Sequence, residues 1–115
     1  MTTYAITPCP KPRMTRADKW NKRLCVMRYR AFADEVRLRG LKINESGTSI
    51  RFDLPMPKSW SQDKRLSMDG QPHKATPDID NLVKALLDAL FVDDSHIWQL
   101  SAEKRWAGSG SITIY

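Results

Sequence analysis

The strongest constraint on the fold is an apolar repeat in the second half of the chain. Large apolar side chains recur there at spacings of three and four residues, at Ile79, Leu82, Val83, Leu86, Leu87 and Leu90. This spacing matches the 3.6-residue period of an α-helix that buries one face. We therefore predict an amphipathic helix over residues 79–90, packed against the elements around it.

Other segments have the alternating pattern of strands. Residues 48–54 alternate well, with Ile50, Phe52 and Leu54 on one face. A short first strand is predicted over residues 4–7. Two closing strands are predicted over 97–106 and 111–115, joined by a hairpin turn at residues 107–110.

A long first helix is predicted from Thr15 or Asp18 to Arg39, with Gly40 ending it. Its apolar stripe is expected to contain Leu24, Met27, Ala31, Val36 and Leu38. A short helix is also expected over residues 59–64. The order β-α-β-α-β-β predicts a single α+β domain over residues 1–115, with a mixed β-sheet packed with two main helices.

The charge of the chain favours an anionic partner. The formal net charge is +6, and residues 11–39 contain ten basic and three acidic side chains. Such a balance suits nucleic acid or an anionic membrane surface. No apolar run approaches the roughly 18 residues of a membrane span, and the N-terminus lacks the pattern of a signal peptide. Cys9 and Cys25 are expected to be reduced thiols, and no zinc site is predicted.

Acidic residues cluster on and beside the predicted helix over residues 79–90. Asp78 and Asp80 stand at its start, and Asp93 and Asp94 follow its end. Taken singly, they have ordinary explanations. Asp78 would cap the helix, and Asp80 would form an i,i+4 ion pair with Lys84. Asp93 and Asp94 would form a polar turn.

Taken as a set, these residues predict a metal-dependent site. Mg²⁺ binds carboxylate oxygens and keeps several waters. Two acids at a helix start can share one ion with a third acid from a nearby loop. The ion orients a water and offsets charge on a phosphorane-like transition state, while Lys84, one turn along, neutralises a phosphate oxygen. Asn81 would either bind a ligand or lie solvated on the helix surface.

The stretch Pro-Asp-Ile-Asp-Asn-Leu-Val-Lys-Ala-Leu-Leu-Asp-Ala-Leu at residues 77–90, followed by Asp-Asp-Ser-His-Ile at 93–97, is distinctive. It resembles the central motif of the RusA-like Holliday-junction resolvases, many of them carried by prophages. The basic loop over residues 10–16 and the Lys-Arg-Trp segment at 104–106 are similar to that family too. Two departures stand out: His96 replaces the usual Gln, and the connector Phe91-Val92 is short.

The resemblance implies Mg²⁺-dependent endonuclease cleavage of four-way DNA junctions, in recombination and repair, by a homodimer. It also implies a cytoplasmic protein of bacterial or phage origin. By position, Asp78, Asp80 and Asp94 would bind the metal and form the catalytic set with Lys84. Asp94 belongs to the set only if the short connector turns straight back. Asp93 has a weaker claim, and Asp88 is expected to be structural.

Basic residues near the site are candidates for the DNA backbone, since a junction is recognised mostly by shape. The expected contacts are Lys11, Arg13, Arg16, Lys19 and Lys74. The tryptophans are expected in the core or at a dimer interface, although Trp60 and the loop over residues 58–74 stay candidates for the junction. Two other functions remain open: a non-catalytic DNA-binding or accessory protein on the same fold, and a small RNA-binding protein, which would leave the acids without a role.

Overall fold

The computed structural model describes residues 1–12 and 24–115. Their elements follow the order β1 (Thr2–Tyr4), α1 (Leu24–Leu38), β2 (Thr48–Pro55), α2 (Gln62–Met68), α3 (Ile79–Leu90), β3 (Leu100–Ala107) and β4 (Ser111–Ile114). The predicted α+β arrangement with a mixed sheet is confirmed, with α2 as a third, short helix. The predicted beginning of the first helix lies outside the described residues. The same holds for three of the expected DNA contacts, Arg13, Arg16 and Lys19.

The four strands form one sheet in the order β1-β4-β2-β3. The predicted hairpin between the last two strands is wrong, because β2 lies between them. β2 pairs in parallel with β3 and antiparallel with β4. A parallel pair needs a long crossover connection, and the segment that contains α2 and α3 supplies it.

The apolar alternation of β2 places that strand at the centre of the core. Ile50, Phe52 and Leu54 are buried, as predicted, and so is Ile112 of β4. Helix α3 covers this face with Leu82 and the other apolar residues of its buried stripe, Ala85, Leu86, Leu87 and Ala89. The predicted amphipathic helix over residues 79–90 is therefore confirmed.

The predicted stripe of α1 is wrong except for Val36. The helix buries Val26, Tyr29, Phe32, Ala33 and Val36, whereas Leu24, Met27, Ala31 and Leu38 are exposed. The two aromatic rings bury more apolar surface than the aliphatic residues of the neighbouring face, so they determine which face turns inward. The predicted helix end is confirmed, since Gly40 has a φ of +68° directly after it.

Other boundaries differ from the sequence predictions as well, and β3 begins at Leu100 instead of at residue 97. β1 covers residues 2–4 rather than 4–7, because the Ile6 amide donates to the Tyr4 carbonyl and leaves the ladder. α2 begins after Ser61, whose hydroxyl accepts from the Lys64 amide, instead of at residue 59. In the residues that the structure describes, no helix is both long and apolar enough to cross a bilayer.

His73 makes folding stability depend on pH. The side chain is buried, and its burial, followed by the charge of Lys104, lowers the pKa of His73 from 6.5. Below that pH the unfolded chain takes up a proton that the folded one excludes, so stability falls as the pH decreases. Urea denaturation at a series of pH values should show this loss in the wild type. A His73→Phe variant should lack that component, and an unchanged slope in the variant would contradict the assignment.

Candidate active site

The chain segment that leads into α3 is bound along the edge of β3. The Gly70 amide donates to the Trp106 carbonyl at 2.8 Å, and the Trp106 amide donates to the Gln71 carbonyl at 3.0 Å. The His73 amide donates to the Lys104 carbonyl at 3.0 Å. These bonds extend the sheet beyond β3 and hold the segment that precedes Asp78 against it.

Lys104 adds a side-chain link between β3 and the same segment. Its ammonium donates to the Pro77 carbonyl at 2.6 Å and also to the Ala75 carbonyl. This role was not predicted from the sequence. Lys104 shares the core-facing side of β3 with Leu100 and Ala102, because alternate residues of a strand point the same way. A lysine that continues an alternating apolar pattern was the one feature of the sequence that could have indicated it.

Asp78 and Asp80 have no structural role among the described residues. Asp78 occupies the N-cap position of α3, but its side chain makes no capping hydrogen bond, and Asp80 lies in the first turn. Both are exposed, and in the described part of the chain neither forms an ion pair. They line one open concavity together with Lys74 and Lys104, at the helix end where the dipole favours negative charge.

Asp88 organises two lysines on the adjoining part of α3. Its carboxylate lies 3.2 Å from the Lys84 ammonium and 3.3 Å from the Lys11 ammonium. The i,i+4 partner of Lys84 is therefore Asp88 and not Asp80. Lys11 also lies 4.3 Å from the centre of the Tyr29 ring, and its amide donates to the Asn81 carbonyl. Lys11, expected as a DNA contact, thus ties the N-terminal loop to α3.

The connector after α3 forms a tight local turn. Helix α3 ends at Leu90, and the Asp93 carboxylate accepts from the Ser95 amide at 2.9 Å. This hydrogen bond lowers the pKa of Asp93 and closes the turn, which gives that residue a local structural role. The Ile97 amide then donates to the Asp94 carbonyl.

Asp94 lies close enough to act on Lys84. The pKa of Lys84 is raised mainly by its hydrogen bond to Asp88 and by the charge of that carboxylate. The charge of Asp94 makes a smaller contribution in the same direction. Lys84 stands about 6 Å further along the helix than Asp80. Across residues 1–12 and 24–115, no three acidic, histidine or cysteine side chains form a ready-made metal cluster. The structure therefore places Asp78 and Asp80 in one concavity, whereas Asp94 is not among the residues that line it and is linked to Lys84 only through the effect of its charge.

The Asp88→Asn variant tests the charge state of Lys84. Removing the Asp88 carboxylate should lower the pKa of Lys84, because both the charge and the hydrogen bond that favour the ammonium weaken. The titration of the Lys84 ammonium should be followed by NMR of its side chain in the free protein, with exposed Asp34→Asn as the control. The same Lys84 pKa in the wild type and in Asp88→Asn would contradict this role of the ion pair.

The family of the chain follows from a comparison with family models. The model described as Endodeoxyribonuclease RusA matches residues 4–115, which is nearly the whole chain. This protein belongs to the RusA endodeoxyribonuclease family. Comparisons with curated proteins and with solved structures gave no significant match.

Membership makes the chain one of a class of nucleases, and it implies Holliday-junction resolvase activity. The resemblance seen in the central motif is thereby confirmed, and it extends to both ends of the domain. The RusA family generally uses a divalent metal and acts on branched DNA. The concavity lined by Asp78 and Asp80 combines these carboxylates with two lysines, Lys74 and Lys104.

Proposed function

We propose that this protein is a Mg²⁺-dependent, structure-specific endonuclease that resolves four-way DNA junctions in recombination and repair. One observation carries the proposal. The ordinary structural explanations for Asp78 and Asp80 fail, because Asp78 does not use its side chain to cap α3 and Lys84 pairs with Asp88. Two carboxylates on one basic domain are thus left exposed beside each other, and family membership supplies the chemistry that they would serve.

The side chains fit a divalent metal. Carboxylate oxygens are the donors that Mg²⁺ prefers, and the ion is commonly bound by one or two carboxylates, with waters and substrate phosphate completing its shell. Asp78 and Asp80 would supply those donors, and Asp94 would join them or hold Lys84. Once bound, the ion supplies an activated water and neutralises developing charge.

The remaining residues of the site act on the substrate or on the loop. Lys84 would bind a non-bridging oxygen of the scissile phosphate, and Asp88 would hold its ammonium in place. Lys104 would hold the loop before Asp78 through the Ala75 and Pro77 carbonyls. Lys74, at the rim of the same concavity, would contact the neighbouring backbone phosphate.

The proposal includes a homodimer of one-domain chains spanning residues 1–115, in the cytoplasm of a bacterium or encoded by a phage. Two symmetric cuts in a junction need two sites related by a two-fold axis, which a C₂ dimer provides. Light scattering after size exclusion should give twice the chain mass of 13.2 kDa. A monomer at micromolar concentration would contradict this part of the proposal.

The deciding experiment is cleavage of a synthetic four-way junction labelled in turn on each strand. With Mg²⁺ the protein should nick two opposing strands symmetrically, and with a chelator it should bind without cutting. A linear duplex of the same sequence is the control for structure specificity. Binding without any cleavage in Mg²⁺ or Mn²⁺ would favour the accessory-protein alternative, and equal cleavage of the linear duplex would refute junction specificity.

A further inference from the structure

Helix α2 is an unusual element, since it buries no side chain. It has seven residues, and Leu66 on its surface is 72% exposed. A helix this short gains little stability from its own hydrogen bonds. It is nevertheless anchored, because Arg65 donates to the Pro57 carbonyl at 3.0 Å and the turn after the helix is bonded to Trp106. The fold therefore presents α2 outward instead of using it to cover the core.

A cluster of three tilted rings connects α2 to the candidate active site. Trp60, just before the helix, lies 4.7 Å from Trp106 between ring centres at an interplanar angle of 55°, and Trp106 lies 3.8 Å from His73 at 34°. Trp106 is two residues beyond Lys104 on β3, which corresponds to about 7 Å. The outer ring of the cluster, Trp60, is half-buried. The surface next to it is thus within a few nucleotides' length of the concavity with Asp78.

An open cavity of about 410 Å³ adjoins this outer ring. Its lining combines an aromatic ring and aliphatic walls with the amide of Gln62 and the guanidinium of Arg65; the residues are Met56, Trp60, Gln62, Arg65, Leu66 and Gly108. The Lys64 ammonium lies over the Trp60 ring, 4.3 Å from its centre, so a base that stacks on that face takes the place of the ammonium. Aromatic faces stack on bases, guanidinium and amide groups bond base edges, and ammonium groups neutralise phosphate.

The charge of the segment argues against a second copy as the occupant. Residues 58–65 contain Lys58, Lys64 and Arg65 against the single acid Asp63. In a two-fold contact the same patch meets itself, so these cations would approach their own copies. A stable interface also buries about 800 Å² per partner, whereas Leu66 is the only large, mostly exposed apolar side chain of α2. DNA has the opposite charge and needs no such apolar area.

We propose that the cavity beside α2, bounded by Trp60, Gln62, Arg65 and Leu66, binds a base that leaves the stack at the branch point of the junction, a few nucleotides from the scissile phosphate. This inference rests on the proposed junction-cleaving function and goes beyond it, because it assigns the recognition of the branch to a surface outside the acidic concavity. A continuous duplex keeps its bases stacked and cannot fill the cavity. Occupation of the cavity therefore favours a junction over a linear duplex.

The test compares junction and duplex binding in the absence of divalent metal, by fluorescence anisotropy. Trp60→Leu should weaken junction binding about tenfold, within the range expected for the loss of one base stack, and change duplex binding less than about twofold. Leu66→Asn, a neutral substitution at an exposed position where it should not unfold the protein, should weaken junction binding likewise. The control is Tyr115→Leu, an exposed aromatic residue at the opposite end of β2, where its amide bonds Ser49.

The outcomes separate the two proposals. If the wild type binds and cuts junctions while Trp60→Leu and Leu66→Asn retain wild-type junction binding, the cavity has no role in recognition and the inference fails alone. An equal loss on junction and duplex would also overturn it, because it would indicate a general backbone contact. A change from dimer to monomer in these variants would assign the surface to a second copy. A wild type that binds no junction would overturn both proposals.

Discussion

An Asp80→Asn variant is expected to lose Mg²⁺-dependent junction cleavage by at least about 100-fold while it still binds the junction. The substitution keeps the shape of the side chain and removes its charge, so the metal loses one of its two nearest donors. Folding should be unaffected, because the Asp80 side chain is exposed and has no ion-pair partner among the described residues. Removal of a negative charge should leave DNA affinity equal or slightly higher.

Cleavage should be measured at saturating protein, so that a change in affinity does not enter the rate. Asp34→Asn is the matched control, since Asp34 is an exposed helical aspartate of α1 that pairs with Arg37 at 3.8 Å. It should cut like the wild type. Undiminished cleavage by Asp80→Asn would remove the basis of the proposed active site, even with the family assignment in place.

A Leu86→Ala variant is expected to lower the free energy of unfolding by about 2–5 kcal/mol. Leu86 is fully buried in α3, within the cluster that joins this helix to β2 and α1. Its truncation removes apolar contacts and leaves a cavity that a packed interior fills only in part. The free energy of unfolding of a small domain is about 5–15 kcal/mol in total, so this loss would be a large share of it. The helix that carries Asp80 and Lys84 would loosen with it.

Urea denaturation at one protein concentration measures this effect, with Leu38→Ala as the control. Leu38 ends α1 and is 82% exposed, so its truncation should change stability by less than about 0.5 kcal/mol. A loss below about 1 kcal/mol in Leu86→Ala would mean that α3 is not packed as described. Such a result would also weaken the placement of the acidic site.

Helix α3 and strand β2 were predictable from the sequence because each carries its own periodicity. Their apolar residues repeat at the spacing of the element, and tertiary contacts only confirm which side is buried. Helix α1 was harder, because aliphatic and aromatic residues point to different faces and the larger rings determined the outcome. The false hairpin at residues 107–110 has a similar origin. A glycine-containing turn between two strand patterns shows only that the two strands are neighbours in the sequence. In the sheet they are separated, because the apolar strand β2 lies between them.

The candidate site, too, was predictable from the sequence only in part. The positions of Asp78 and Asp80 around the helix start follow from helix geometry, and the spacing of the motif is specific enough to indicate the family. The roles of Asp88, Lys11 and Lys104 did not follow. Each depends on a partner from a distant segment, and an ion pair or a side-chain bond to a carbonyl leaves no local pattern in the sequence.

The sequence by itself determined a basic α+β chain with the RusA motif and two carboxylates at the start of one amphipathic helix. Only the tertiary structure showed that these two carboxylates form no ion pair or capping hydrogen bond among the described residues, since Lys84 pairs with Asp88 instead. It also bound the segment before Asp78 to β3, and it brought the charge of Asp94 near enough to raise the pKa of Lys84. The physical reason is that local periodicity determines which way a side chain points, whereas its partner is determined by which distant elements share the core.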